Sequence, residues 1–194
     1  MSTLKQLGMK KNWLYEIVIS SIDNHVPHAA PFGVKTTDFK LVSIEMYKGS
    51  NTLRNVLKSK EFVINTVSDP TVFYHALYGR EKINFGFAKM ILAPVLTDSP
   101  ASIEVRLKNT VNREQSYMIE AEVVYIHIRN TSELINRAKS LVLESLILAT
   151  RIPYLPEGKP EELLRENYRV IKKVAPGSKY ELVMKELLKK CSGG

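Results

Sequence analysis

Cysteine is almost missing from this chain: Cys191 is the only one in 194 residues. No internal disulfide can form, so packing alone must hold the fold, and a reducing cytoplasm is the expected compartment. The residues that follow it, Ser192-Gly193-Gly194, lack the aliphatic pair of a prenylation box. Long apolar runs are missing too. The longest, residues 141–149, contains Glu144 and falls far short of the roughly 20 residues that span a bilayer. No apolar core of signal-peptide length occurs near residue 1. A soluble, cytoplasmic protein with no membrane partner is expected.

Catalytic signatures are equally scarce. There is no Gly-x-Ser-x-Gly elbow and no Walker loop, and the lone cysteine stands close to the last residue, so nucleophilic catalysis has no agent. His25 and His28 form a His-x-x-His pair, but Pro27 lies between them and no third ligand is near. A zinc site needs three or four ligands, so these read as loop histidines. His75 is expected partly exposed on a short helix, and His127 at a surface or interface. No catalytic and no metal-ligating residue is assigned.

Acidic side chains are outnumbered: 28 Lys and Arg against 20 Asp and Glu leave a net charge of +8. That excess favours an anionic ligand. No RNA-recognition aromatic motif and no basic arm accompany it. Lys185, Lys189 and Lys190 alternate with apolar residues, as a solvated helix face would. Nucleic acid is therefore disfavoured as a partner.

What is present is patterned. With 44% hydrophobic residues the chain can bury a full core. Residues 13–22 (WLYEIVISSI) read as a half-buried strand. Pro31 and Gly33 mark the second extended stretch, 28–36, as an edge, a bulge or a place where a ligand approaches the backbone. Residues 40–47 alternate clearly. Ser50 or Asn51 then caps a short helix to about Lys58, with Leu53, Val56 and Leu57 inward, and residues 61–66 form a further strand. Asp69-Pro70 opens a helix over 71–78. Gly86, Pro94 and Pro100 break up residues 79–100, a connecting segment with one helical turn. Residues 103–107 and 117–128 flank turn residues 109–114 as a long hairpin. Six or so local, antiparallel strands imply an α+β, mainly β protein, and a small barrel removes the exposed edges. The aromatics Trp13, Tyr15, Tyr74 and Tyr78 are expected in core or dimer packing.

Beyond Asn130 the period becomes helical. Asn130 and Glu133 stand at capping-box spacing, and Leu134 to Ala149 carry a face that is apolar nearly all round in its later half. This helix is expected to be buried, against the barrel or in a subunit interface. Arg151, at its end, could pair with the helix dipole or reach a partner subunit's phosphate. Residues 160–174 form a second helix, and the Ser178–Glu181 box opens a third. The division drawn is 1–129 for the barrel and 130–194 for a helical extension.

The chemistry concentrates in one corner. Gly49, Ser50, Asn51 and Thr52 lie between a strand and a helix start, where unpaired N–H groups and about half a positive charge attract anions. Ser50 and Thr52 add hydroxyl donors, and Lys48 and Arg54 add full charges. An ordinary helix cap is the bland alternative. The segments APFGVK, YKGSNTLRN, EFVIN and NRAKSLVLE, taken in order, shift the balance. Together they resemble the flavin reductase-like split barrels, and more closely the archaeal family of uncharacterised FMN-binding split-barrel proteins with a helical C-terminal extension. The resemblance runs the length of the chain.

It implies a homodimer of six-stranded antiparallel FMN-binding split barrels, with FMN near the subunit interface. Carried over by position, Gly33, Val34, Lys35 and Thr36 would line the isoalloxazine and ribityl chain, Phe32 would lie by the ring or beneath it, Gly49, Ser50, Asn51 and Thr52 would hold the phosphate, and His28 could brush the flavin. The implied function is an FMN-dependent oxidoreductase acting on an unidentified small-molecule redox partner. A non-catalytic FMN-binding module, or a basic interaction protein without flavin, are the alternatives.

Overall fold

The computed structural model describes residues 3–156 and 158–191; the prenylation reading of Ser192-Gly193-Gly194 lies outside them. The chain divides into two compact units. One comprises residues up to Lys11 together with Tyr15–Ile135, the other Asn12–Leu14 together with residues from Asn136 onward.

The first unit is built from β1 (Tyr15–Asp23), β2 (Val26–Thr36), β3 (Leu41–Tyr47), α1 (Asn51–Ser59), β4 (Glu61–Asn65), α2 (Thr71–Tyr78), β5 (Phe85–Phe87), β6 (Pro94–Leu96), β7 (Ala101–Asn112) and β8 (Ser116–Ile128). Six of these strands close an antiparallel barrel in the order β1-β2-β3-β8-β7-β4. Asn24 and His25, both with positive φ (46° and 67°), make the two-residue turn between β1 and β2, the twist a tight hairpin favours. The register places Ile17, Ile19, Val34, Ile44, Ile64, Ile103 and Ile119 on one shared face, all buried. β-branched side chains suit that pleated, enclosed surface.

The opposite face of β1, β4 and β7 is covered as well. Val18, Ser20, Val63, Asn65, Ser102 and Glu104 are all buried there, under the two-stranded excursion β5–β6. Polar groups in that layer find partners, as burial requires: Ser20 Oγ donates to the Pro94 carbonyl (2.5 Å), Asn65 Nδ2 to Ser20 Oγ (2.8 Å), and the Leu96 N–H and Ser102 Oγ both donate to Asn65 Oδ1. α2 begins where Asp69 Oδ1 accepts from the Thr71 N–H (2.9 Å); Pro70 stands just before the helix rather than in its first turn. Val72, Phe73 and Ala76 of α2 pack on Val18, Ala29, Val67 and Leu96.

The second unit holds α3 (Ala138–Ala149), α4 (Lys159–Val174) and α5 (Lys179–Cys191). Its core is Ala138, Val142, Leu164, Ile171, Val174 and Met184, flanked by Trp13, Leu14 and Tyr180. Asn136 Nδ2 donates to the carbonyls of Leu14 (2.8 Å) and Val174 (2.9 Å). The expected box at α5 is present: Ser178 Oγ accepts from the Glu181 N–H, and Glu181 Oε2 accepts from the Gly177 N–H (2.7 Å). Cys191 is half-buried against this core.

Three expectations need correction. Trp13 is not in β1 but packs in the second unit, its ring 6.2 Å from that of Tyr180. Residues 79–100 contain the β5–β6 pair besides a single 3-10 turn (Arg80–Lys82). The helix after Asn130 starts at Ala138, because the Glu16 N–H takes the Ile135 carbonyl (2.9 Å) and Asn136 Oδ1 accepts from the Ala138 N–H (3.0 Å). On the later half of α3, Leu143, Leu146 and Ile147 are exposed in the single chain. Among the described residues no helix is long and apolar enough to cross a membrane.

Candidate functional site

β2 and β3 pair over only three residues each, Val34–Thr36 with Val42–Ile44. Beyond that point they part. β2 runs back to Val26 bonded only to β1, while β3 continues to Tyr47 bonded only to β8. Residues 30–33 and 45–47 therefore present main-chain edges with no strand across from them among the described residues. Such edges carry unpaired N–H and C=O groups.

β3 leads directly into the Lys48–Thr52 corner. Gly49 adopts φ +82°, a conformation that costs a side chain energy and glycine little, and a Cβ there would meet nothing within 4 Å. The turn is thus open to solvent. Ser50 is the N-cap: its Oγ accepts from the Leu53 N–H (3.3 Å) and donates to the Tyr47 carbonyl (2.9 Å). The N–H groups of Asn51 and Thr52, in the first turn, have no intrahelical acceptor. Beside Gly49 and Ser50 lies an open hollow of about 450 Å³, walled by Lys48, Gly49, Ser50, Leu53, Arg54, Leu57 and Tyr117; Asn51 and Thr52 do not line it. Lys48 Nζ sits 5.6 Å from the Tyr117 ring and donates to the Glu114 carbonyl (3.0 Å). Arg54 is held loosely, 3.6 Å from Asp23.

The residues named from sequence fall into two groups. Gly49 is exposed and Ser50 half-buried, both lining the hollow, and Asn51 is exposed beside them. Thr52 is only 1% exposed, and its Oγ1 turns inward to His28 Nε2 at 3.0 Å. On β2, Phe32 is half-buried and shares the inward face with Val34, while Gly33 and Lys35 lie on the other face, also half-buried. Thr36 is fully buried, and its hydroxyl is engaged in the β2–β3 turn, donating to the Leu41 carbonyl (2.7 Å) and accepting from the Phe39 N–H (2.9 Å). Val34 and Thr36 thus sit in the short paired stretch, and Phe32 and Gly33 at the start of the parted one.

Sequence reasoning missed Tyr117 and the surroundings of His28. Burial lowers the His28 pKa, and the cations Arg80 and Arg54 lower it further. Those neighbours come from three separate segments, so no local pattern announces them. Asp23 is held below the ordinary carboxylate range, chiefly by Lys58 Nζ, which donates to it at 2.9 Å.

Other candidates lie elsewhere. His25 is exposed in the β1–β2 turn, and among the described residues no group of three or more His, Cys, Asp or Glu side chains is placed to hold a metal. His75 lines a second cavity of about 260 Å³ with Asp69, Lys82, Asn84 and Asp98; none of Phe32–Thr36 and Gly49–Thr52 borders it. Tyr74 and Tyr78, expected in packing, are exposed, their rings 5.5 Å apart. His127 binds the buried Glu104 at 2.5 Å. Arg151 is exposed just past the end of α3.

Residues 15–130 match the model of an N-terminal domain, and residues 136–190 a second model, both described as protein of unknown function (DUF447). Among solved structures, an FMN-bound DUF447 protein from Methanosarcina mazei is 28% identical, over 96% of this chain and 98% of that one, with a TM-score of 0.58. Flavoredoxin from Methanosarcina acetivorans is 14% identical over 60% of this chain and 69% of that one, with a TM-score of 0.54. The 2-nitrobenzoate 2-nitroreductase of Pseudomonas fluorescens is 21% identical over 63% and 68%, with a TM-score of 0.52. The last two share the barrel fold.

Proposed function

The chain belongs to the DUF447 family, and from that premise we propose that it is an FMN-binding flavoprotein, an oxidoreductase of the flavin reductase-like type. The observation that carries this reading is the corner itself. Its two free N–H groups, the exposed Gly49 and the cations Lys48 and Arg54 suit a phosphate monoester, which bears about −1.5 to −2 charge near neutrality. The FMN-bound relative from Methanosarcina mazei, alike along nearly its whole length, supports the choice of ligand.

In this reading Gly49, Ser50, Asn51 and Thr52 hold the phosphate through main-chain N–H groups, and Ser50 fixes the turn that aims them. Phe32, Gly33, Val34, Lys35 and Thr36 form the strand along which the ring and ribityl chain lie. Phe32 and Gly33 offer the free main-chain edge, whereas Val34 and Thr36 keep it in place from the paired side. Bound flavin supplies the redox chemistry. The chain binds it, orients it and shields it from water.

The site belongs to residues 1–129, and residues 130–194 serve dimer formation, with Leu143, Leu146 and Ile147 as the apolar face that a second copy covers. The redox partner is a small molecule, and the single cysteine suits the cytoplasm. Titrating the purified, flavin-stripped protein with FMN tests the reading: saturable quenching of flavin fluorescence is expected, and an absence of binding rejects it. Anaerobic bleaching of the bound flavin by a reduced nicotinamide tests the oxidoreductase step.

A further inference from the structure

His28 stands where the corner meets the barrel. It lies on β2, opposite Ser21 of β1, and its Nε2 is 3.0 Å from Thr52 Oγ1. Thr52 is the second residue of α1, so one residue turns its hydroxyl to the imidazole and its main-chain N–H to the corner. The charged neighbours of the ring are Arg54 from α1 and Arg80 from the turn after α2. Asp23 of β1 stands beyond Arg54, paired with it and with Lys58.

We propose that His28 is a positioning residue for the flavin phosphate: an anion on the first turn of α1 draws a proton onto the ring, and the charged ring then favours FMN over riboflavin. This rests on the FMN reading above. In the free protein, burial and two arginines oppose an imidazolium. A phosphate at the corner reverses the local field, since its charge is opposite in sign to theirs and about equal to their sum. The proton comes from solvent. While the ring is neutral, either partner of the His28–Thr52 bond can donate; once the ring is charged, only Nε2 can. The hydrogen bond survives protonation, and the ring keeps its place while its charge changes.

The sign follows from linkage. FMN raises the His28 pKa from a depressed starting point, so binding takes up a proton, and affinity falls as pH rises through the raised value. Riboflavin, without the phosphate, leaves the ring as it was. The phosphate's own titration contributes equally whichever residue stands at position 28.

The test uses the full chain and its variant His28→Gln, whose side-chain amide can still donate to Thr52 Oγ1 but does not titrate. FMN and riboflavin affinities are measured at about pH 6 and about pH 8, and proton uptake by calorimetry in two buffers of different ionisation enthalpy. In the wild type, the preference for FMN over riboflavin should be about three- to sixfold greater at the lower pH, relative to His28→Gln, since one unit of pKa displacement reaches about tenfold only well below the free-state value. Equal pH profiles in the two proteins overturn the proposal while leaving FMN binding intact. Failure of the wild type to bind FMN overturns both. Should His28→Gln not fold, the His28 ring resonance of the wild type decides: its titration midpoint must rise with FMN and stay put with riboflavin.

Discussion

Two polar clusters on the same barrel differ in what they leave undone. At the α1 corner the turn is open and the cations Lys48 and Arg54 are exposed. At Glu104 the opposite holds. That carboxylate is 0% exposed and accepts from the N–H groups of Lys89 and Met90, both at 2.7 Å, and from the His127 ring. Lys89 Nζ reaches the Tyr125 hydroxyl (3.3 Å) and covers its ring, and Tyr125 meets His127 edge-on. A buried charge with all its partners in the chain fastens residues 88–93 to the barrel wall. It has nothing to offer a ligand. At the corner the N–H groups of Asn51 and Thr52 have no acceptor among the described residues. A histidine beside a carboxylate draws the eye as chemistry, yet the cluster with vacant donors is the better site.

That contrast can be broken in four ways. Glu104→Ala removes the acceptor of two buried N–H groups and the partner of His127, and should cost about 3–5 kcal/mol of stability. Urea unfolding near neutral pH measures it, and a loss below about 1 kcal/mol would show that the cluster does not hold the strap. The variant's FMN affinity, where it stays folded, should be unchanged.

Acid gives a second, smaller effect. Burial works against the ionised Glu104, but the Lys89 and Met90 N–H groups and His127 outweigh it, so its pKa lies below the ordinary 4.5. A group depressed on folding contributes stability above its unfolded pKa and loses that contribution as pH falls through the folded one. The stability of the wild type should therefore drop on acidification below about pH 4.5 more steeply than that of Glu104→Gln. Parallel curves in a pH series of melts would contradict this.

Ser50→Ala should cost about 1 kcal/mol of stability through loss of the cap, and should weaken FMN more than riboflavin because the turn no longer aims its N–H groups. An equal loss for both ligands would separate the cap from the phosphate. The smallest effect belongs to the second unit. Leu146→Gln, on the exposed face of α3, should alter monomer stability within about 0.5 kcal/mol while shifting a dimer toward monomer in light scattering. An unchanged mass would remove α3 from the interface.

Much of the barrel was legible from residue pattern because its information is local. Alternation gave β3, and Ser50 or Asn51 marked the start of α1. What failed was what tertiary bonds decide. Asn130 and Glu133 have the spacing of a helix start, but the ladder bond between Glu16 and Ile135 holds that segment extended. β5 and β6 are three residues each, broken by Gly86 and Pro94, and exist because the polar layer of Ser20 and Asn65 needs a cover. At the candidate site, Ser50 as cap was readable, whereas the inward turn of Thr52 and the approach of Arg80 to His28 join segments far apart in sequence.

The short pairing of β2 with β3 has a consequence for motion. Three residue pairs close the cylinder there, against eleven between β7 and β8. Opening that seam breaks as few pairs as opening the β1–β4 seam, which also has three, and far fewer than parting β7 from β8, so amide protons of residues 42–44 should exchange with deuterium ahead of those in β7. Anything that lies across the parted strands would act as a rivet, slowing exchange first at that short seam.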